Sequence, residues 1–386
     1  MPGRVDVPVS AGAGTTSSAA SPVIGWDVGG AHVKACLLAG GRVADIVQWP
    51  APMWQGLAHL DAAIAAARER WPAFGPARHA VTMTAEMADL FPNREAGVLE
   101  IAGRLAERLG PGVRFFAGED GWTGADEVAG CWDRIASANW LATAQMVGLG
   151  RPDALLVDIG STTTDLIPVI AGHPSPAGRT DAARLRTGEL VYLGVVRTPL
   201  CAVARRIAFR GTPGNVMNEF FATTADVFRL TGELDPDHDQ YPPADGGGKD
   251  PAATCQRLAR MIGRDAREAA AADWHDLAHG WRHAMVAEIA RNLRRVDRLF
   301  PQPASRLGAQ TGDHPPARDA AEGPATAVPV VGAGCGLFLA RALAERLGRP
   351  FLPFDALIDA APGCRKWVAT CAPSVAVAVL FGRQVP

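Results

Sequence analysis

Two stretches of this chain share one plan. "GWDVGGAHVKACLL" (Gly25 to Leu38) and "LVDIGSTTTDLIPV" (Leu156 to Val169) each run apolar, stop at Asp-x-Gly, pass through small residues and turn apolar again. Laid over one another, they match Asp27 with Asp158, Gly29 with Gly160, Gly30 with Ser161 and Lys34 with Asp165. Glycine permits a sharp reversal and the apolar flanks call for burial, so each copy reads as strand, tight tip and returning strand. A repeated supersecondary unit implies two like-built halves. Two such halves facing each other bring both tips, and both carboxylates, to one cleft.

The remaining chain alternates between the two periods. "GLAHLDAAIAAARERWPAF" is a helix pattern, "HAVTMTAEMADLF" resumes the sheet, and the amphipathic "GVLEIAGRLAERLG" ends in Gly110, as helices often do. Strands alternating with helices make the fold class α/β. We expect a first half over 22–150 and a second over 151–386, preceded by a polar tail at 1–21. A long polar loop is expected at 233–254, and the low-complexity run 301–327 reads as a solvated insertion.

Bulk properties exclude several classes. A net charge of −2 argues against a nucleic-acid binder. No apolar run approaches the roughly 20 residues that span a bilayer, so no membrane is expected. The seven cysteines are scattered without a C-x-x-C pair, which suits reduced thiols in the cytoplasm better than a disulfide framework or a zinc site. Nothing in the sequence fixes an oligomeric state.

The tips suggest chemistry. Successive backbone N–H groups at Gly/Ser/Thr turns form anion-binding concavities, here Gly29-Gly30 and Gly160-Ser161-Thr162-Thr163. A phosphate chain held between two such turns needs a cation, and Asp27 and Asp158 could supply Mg²⁺ with its waters. Lysine occurs only at Lys34, Lys249 and Lys366 in a chain otherwise rich in arginine, which singles out Lys34 beside the first tip and Lys249 in the polar loop as compact charges for the same anion. A third element, "AVPVVGAGCGLFLARALAERLG", reads as a buried strand, a turn with Gly332 and Gly334, and a helix whose start could accept a ligand's phosphate or ribose. His275, His279 and His283 fall at helical spacing, yet no cysteine or second motif joins them, so they read as a solvated face.

Two Asp-x-Gly hairpins followed by a late V-x-G-A-G turn resemble the phosphate-1, phosphate-2 and adenosine motifs of the actin-like ATPase superfamily. Within it, "MTAEMADLFPNREAGV", "GELVYLGVVRTPLCAV" and "TADVFRLTGELDPDHDQYPPADGGGKD" are similar to the hydantoinase/oxoprolinase-related branch, and there to the group named for tetrahydromethanopterin-linked C1 transfer, which includes the methanofuran-biosynthesis synthase. The resemblance implies a two-domain actin-like (ribonuclease H-like) fold with an interdomain cleft. It also implies a transferase that joins an aminomethylfuran diphosphate to the phenol of a (γ-glutamyl)tyramine and releases diphosphate. On this expectation Asp27 and Asp158 position Mg²⁺, the two tips grip the diphosphate, Lys34 and Lys249 offset its charge, and Asp165 or Glu189 takes the phenol proton. ATP is a further candidate ligand. The first tip reads Gly-Gly-Ala-His rather than the Thr-rich form of many kinases. An ATP-dependent small-molecule kinase, a hydantoinase-like hydrolase and a non-catalytic nucleotide sensor of the C1 pathway are the alternatives.

Overall fold

The structure is a computed structural model, and it describes residues 21–298, 300 and 328–384. The expected insertion at 301–327, and all of the expected tail but Ser21, lie outside those residues. Among the described residues, the first sheet is built from β1 (Val23–Val28), β2 (His32–Ala39), β3 (Arg42–Pro50), β4 (Arg78–Met83), β5 (Arg114–Phe116) and β6 (Trp122–Thr123), in the order β3-β2-β1-β4-β5-β6. The first three strands form an antiparallel meander, with Gly40 and Gly41 at positive φ in the β2–β3 turn. β4 then runs parallel to β1, and β5 parallel to β4. Parallel neighbours need crossovers, and the helices Ala58–Arg70 and Arg94–Leu109 supply them.

The second sheet repeats the plan. β7 (Ala154–Ile159) and β8 (Thr164–Ile170) form the second hairpin, flanked by the short β9 (His173–Pro174) and β10 (Leu190–Val191). After a two-stranded ribbon of β11 (Arg206–Phe209) and β12 (Thr212–Asn215), the chain returns as β13 (Val330–Ala333) parallel to β7 and β14 (Phe351–Pro353) parallel to β13. The order is β10-β8-β7-β13-β14. In each half the hairpin's first strand therefore takes the next long strand as its parallel neighbour.

Strand alternation assigns the faces. Ile24, Trp26 and Val28 point to one side of β1 and share a core with Leu60, Ile64, Ile101 and Leu105 of the crossover helices. In the second sheet Leu155, Val157 and Ile159 face the helices Pro251–Met261, Ala271–Asp297 and Leu337–Arg346. The other faces of both sheets meet a common core containing Val23, Cys36, Ala80, Leu156, Ile167 and Val331, filled by the helices Asn139–Gly150 and Ala372–Gly382. Ala372–Gly382 is apolar on every side, as a helix enclosed on all sides must be. Its backbone lies so close to β1 that a Cβ on Gly25 would fall 2.2 Å from the Ser374 carbonyl oxygen. This helix packs on β1, β2 and β4, which lie far from it in sequence.

Two local readings differ from the sequence expectation. After Met83 the sheet stops, and Ala85–Met87 is a 3₁₀ turn leading to the cleft. The polar stretch 233–254 is not continuous loop: Pro236–His238 is a 3₁₀ turn, and a helix begins at Pro251, its first N–H groups capped by the Asp250 carboxylate. The three histidines of the long helix are all exposed, as expected. No single helix among the described residues is long and apolar enough to cross a membrane.

His79 on β4 is buried and its Nδ1 accepts a hydrogen bond from Trp26 Nε1 at 3.1 Å. Burial, with a smaller contribution from Arg68, pushes its pKa down to about 4. The folded protein therefore holds the neutral ring while the unfolded chain protonates near pH 6.5, so this stability is complete above about 6.5 and is lost as pH falls towards 4. The loss should reach about 3 kcal/mol. Thermal unfolding of His79→Gln should show a shallower fall between pH 7 and 5 than the unaltered protein; parallel curves would refute the assignment.

Candidate functional site

Both hairpins present their tips in the same register. Asp27 pairs across its ladder with Lys34, and Asp158 with Asp165. Each tip closes with the same hydrogen bond, Gly29 N–H to His32 O at 2.9 Å and Gly160 N–H to Thr163 O at 2.8 Å. Asp27, Gly29, Gly30, Lys34, Asp158, Gly160, Ser161, Thr162, Thr163 and Asp165 line one cleft of about 500 Å³. Strand alternation explains the aim of Asp27: it shares the face of Gly25, which looks at the start of the Ala372–Gly382 helix.

Electrostatics in the cleft are tight. Lys34 Nζ lies 3.5 Å from Asp27 Oδ2, and Asp27 Oδ1 is buried without a hydrogen-bond partner. Burial raises the Asp27 pKa against the pull of Lys34. For Lys34 burial pulls downward, yet Asp27, with smaller help from Cys371 and Asp158, holds the ammonium above the ordinary lysine range. Asp158 is pushed up to about 7, first by desolvation and then by the neighbouring charge of Asp165. The Lys34 ammonium offsets only part of that rise.

The third element contributes through backbone proximity. Gly334 has φ +82°, and a Cβ there would fall 2.1 Å from the Ile159 carbonyl oxygen and 2.6 Å from Asp158 Oδ1. Gly334 and Cys335 thus line the cleft against the second tip. Gly332 does not reach it: its missing side chain makes room for the Phe351 ring and Leu337. Lys249 is also absent from the lining, since its ammonium pairs with Asp239 Oδ1 at 3.2 Å. Glu189 is fully buried, its carboxylate accepts from Ala177 N, Gly178 N and Thr187 Oγ1 at 2.6–2.8 Å, and it does not line the cleft, so it is not placed to take a phenol proton. Asp165 stays in the cleft, held by Arg184 Nη2 at 2.7 Å.

Sequence reasoning missed the groups that surround the tips. His32, on the first tip, is buried with an unpartnered Nε2, and its pKa falls to about 3 through burial and the nearby charges of Lys34 and Arg197. The guanidinium of Arg197 lies 4.9 Å over the Trp54 ring and 5.9 Å from that of Tyr241. Tyr241 donates from its hydroxyl to the Ala31 carbonyl, and His238 Nε2 sits 3.2 Å from Thr370 Oγ1. The polar loop thereby docks on the first tip, and His238 joins the cleft lining. Arg197 directly follows the Val-Val of "GELVYLGVVRTPLCAV", a cation one strand-turn beyond the second hairpin that could have been flagged.

Twin Asp-tipped hairpins on two halves of the same β-plan, joined by a shared helical core, define the two-domain actin-like ATPase fold. The chain also resembles a solved nucleotide-free acetone carboxylase, with a TM-score of 0.55 at 11% identity over 93% of this chain and 70% of that one. It belongs to the hydantoinase/oxoprolinase family, which matches residues 78–364. Among curated relatives it is 29% identical, over 72% of its own length and 82% of theirs, to the (4-{4-(2-(γ-L-glutamylamino)ethyl)phenoxymethyl}furan-2-yl)methanamine synthase of Methanocaldococcus jannaschii. The synthase of the same name from Methanococcus vannielii is 30% identical over 38% of this chain and 66% of that protein.

Removing one member of the Asp27–Lys34 pair strands the other in a largely buried site. Lys34→Met should cost about 3 kcal/mol in denaturant unfolding, and adding Asp27→Asn should return most of it. Additive losses in that double-mutant cycle would contradict the pairing.

Proposed function

We propose that this protein is a Mg²⁺-dependent transferase of methanofuran-type cofactor synthesis in C1 metabolism. It joins an aminomethylfuran diphosphate to the phenol of a (γ-glutamyl)tyramine and releases diphosphate. The observation that carries the reading is the pairing of two anion-binding tips, with facing carboxylates, in a chain whose relatives are named for the furan–phenol ether product.

The residues fit a magnesium ion. Mg²⁺ is usually held by one or two carboxylates plus substrate phosphate oxygens and waters rather than by a full protein cage. Among the described residues no group of three His, Cys, Asp or Glu side chains could hold a metal, but the unpartnered Asp27 Oδ1 and the Asp158 carboxylate in the same cleft are the two oxygen donors that would hold the ion. When bound, the ion would neutralise charge developing on the leaving diphosphate.

The chain's own groups supply the rest. Backbone N–H groups at Gly29-Gly30 and Gly160–Thr163, with the Lys34 ammonium, hold the diphosphate where its charge grows as the furfuryl C–O bond breaks. The phenol oxygen forms the new bond to that carbon, and its proton passes to Asp165, whose pKa burial raises in spite of Arg184. Diphosphate leaves with the bonding electron pair. Tyr241 and the polar loop shield the tips from water.

The test is diphosphate release by the full chain with Mg²⁺, given the furan diphosphate with and without γ-glutamyltyramine, and ATP in parallel. Release should need both furan and phenol, and Asp158→Ala should lower it at least a hundredfold. Phosphate from ATP alone would point to a kinase or hydrolase, and nucleotide binding with no turnover to a sensor; either contradicts the transferase.

A further inference from the structure

The cleft is not uniform along its length. Its tip end is polar and cationic, with Lys34, His32 and Arg197. Its other end exposes large apolar side chains: Met87 at 52%, Leu185 at 49% and Tyr192 at 60% relative exposure. Single exposed apolar residues need no explanation, but these three on the walls of one cleft, in addition to Trp54, which Arg197 covers at the tip end, do.

The connections show that these three converge. Arg94 Nη2 ties the two halves together, reaching Glu86 Oε1 at 3.2 Å in the first and Asp181 Oδ2 at 3.3 Å in the second. Met87 follows Glu86 in the first half and Leu185 lies one helical turn after Asp181 in the second, so the bridge holds together the two segments that carry these cleft-lining side chains. Tyr192 follows β10, whose Leu190 pairs with Asp165. The floor between them is Asp165, held by the fully buried Arg184, whose guanidinium is in turn stacked 4.0 Å over the Trp140 ring. Apolar walls from both halves around a buried carboxylate suit a flat ring that carries a hydrogen-bond donor at one edge.

We propose that Met87, Leu185 and Tyr192 form the aryl-binding subsite of the cleft, which takes the phenol acceptor with its hydroxyl towards Asp165. This assignment rests on the transferase reading for the identity of the ring, while the subsite itself rests on the geometry. A phenol seated there lies beyond the second tip, on the Asp165 side of the diphosphate site.

The experiment titrates tyramine, and separately inorganic diphosphate with Mg²⁺, into the full chain by calorimetry. The unaltered protein, a Leu185→Ser/Tyr192→Ser double variant and Leu149→Ser are compared; Leu149 is as exposed as these residues but lies outside the cleft. The double variant should bind tyramine at least about tenfold more weakly with its diphosphate affinity unchanged, and Leu149→Ser should match the unaltered protein. Unchanged tyramine affinity in the double variant, equal loss of both ligands, or no tyramine binding by the unaltered protein would overturn the subsite. Tyramine binding that depends on Leu185 and Tyr192, without ether formation from the furan diphosphate, would support the subsite and contradict only the transferase reading.

Discussion

The architecture depends on one close contact, the backbone of the Ala372–Gly382 helix lying against β1 at Gly25. Only glycine leaves room for it, and only small side chains such as Ala372, Ser374, Ala376 and Ala378 let the helix come so near. Because this helix and Asn139–Gly150 fill the space between the sheets, the halves share a core at their base and open only where the strands end. Close-packed interiors resist deformation, so the spacing of the two hairpin tips is set by this core rather than by the tips themselves. The helix Ala372–Gly382 thus fixes the geometry of β1, a strand far from it in sequence.

Given that spacing, the cleft's chemistry follows from what each copy carries across from its carboxylate. The first hairpin sets a lysine against Asp27 and the second sets an aspartate against Asp158. The first copy is therefore internally neutralised. The second gathers two carboxylates, and burial drives the proton affinity of both upward. A doubled plan with unequal cross-strand partners gives one charge-balanced wall that carries an ammonium and one acidic wall, an arrangement suited to placing an anion beside a group that must lose a proton.

The hairpins and their register were legible in the sequence because they are local. Period-two alternation around Asp-x-Gly fixes which residues face each other, so Lys34 and Asp165 were readable as equivalents before any coordinates. The α/β class followed from the alternating periods. What could not be read was long-range. Lys249 was singled out for its rarity, but rarity says nothing about direction, and Asp239 captures it. Gly332 sits in a Gly-rich turn by sequence, yet its role is to admit the Phe351 ring. Glu189 follows a glycine and precedes a strand, and only the fold shows three donors closing on it. Arg197, Trp54 and Tyr241 come from three separate segments whose meeting no periodicity encodes. The Ala372–Gly382 helix has no stripe to detect, since all its faces are buried.

The central claim is that the two tips act as one anion site. The most direct measurement is the affinity of inorganic diphosphate, with Mg²⁺, for the full chain and for Gly30→Glu and Thr162→Glu, one charge-reversing change on each tip. A Cβ at Gly30 would meet nothing within 4 Å, so the first change begins in open space. The account predicts one diphosphate bound per chain and its loss in either variant. Binding that survives one of the two changes would contradict it.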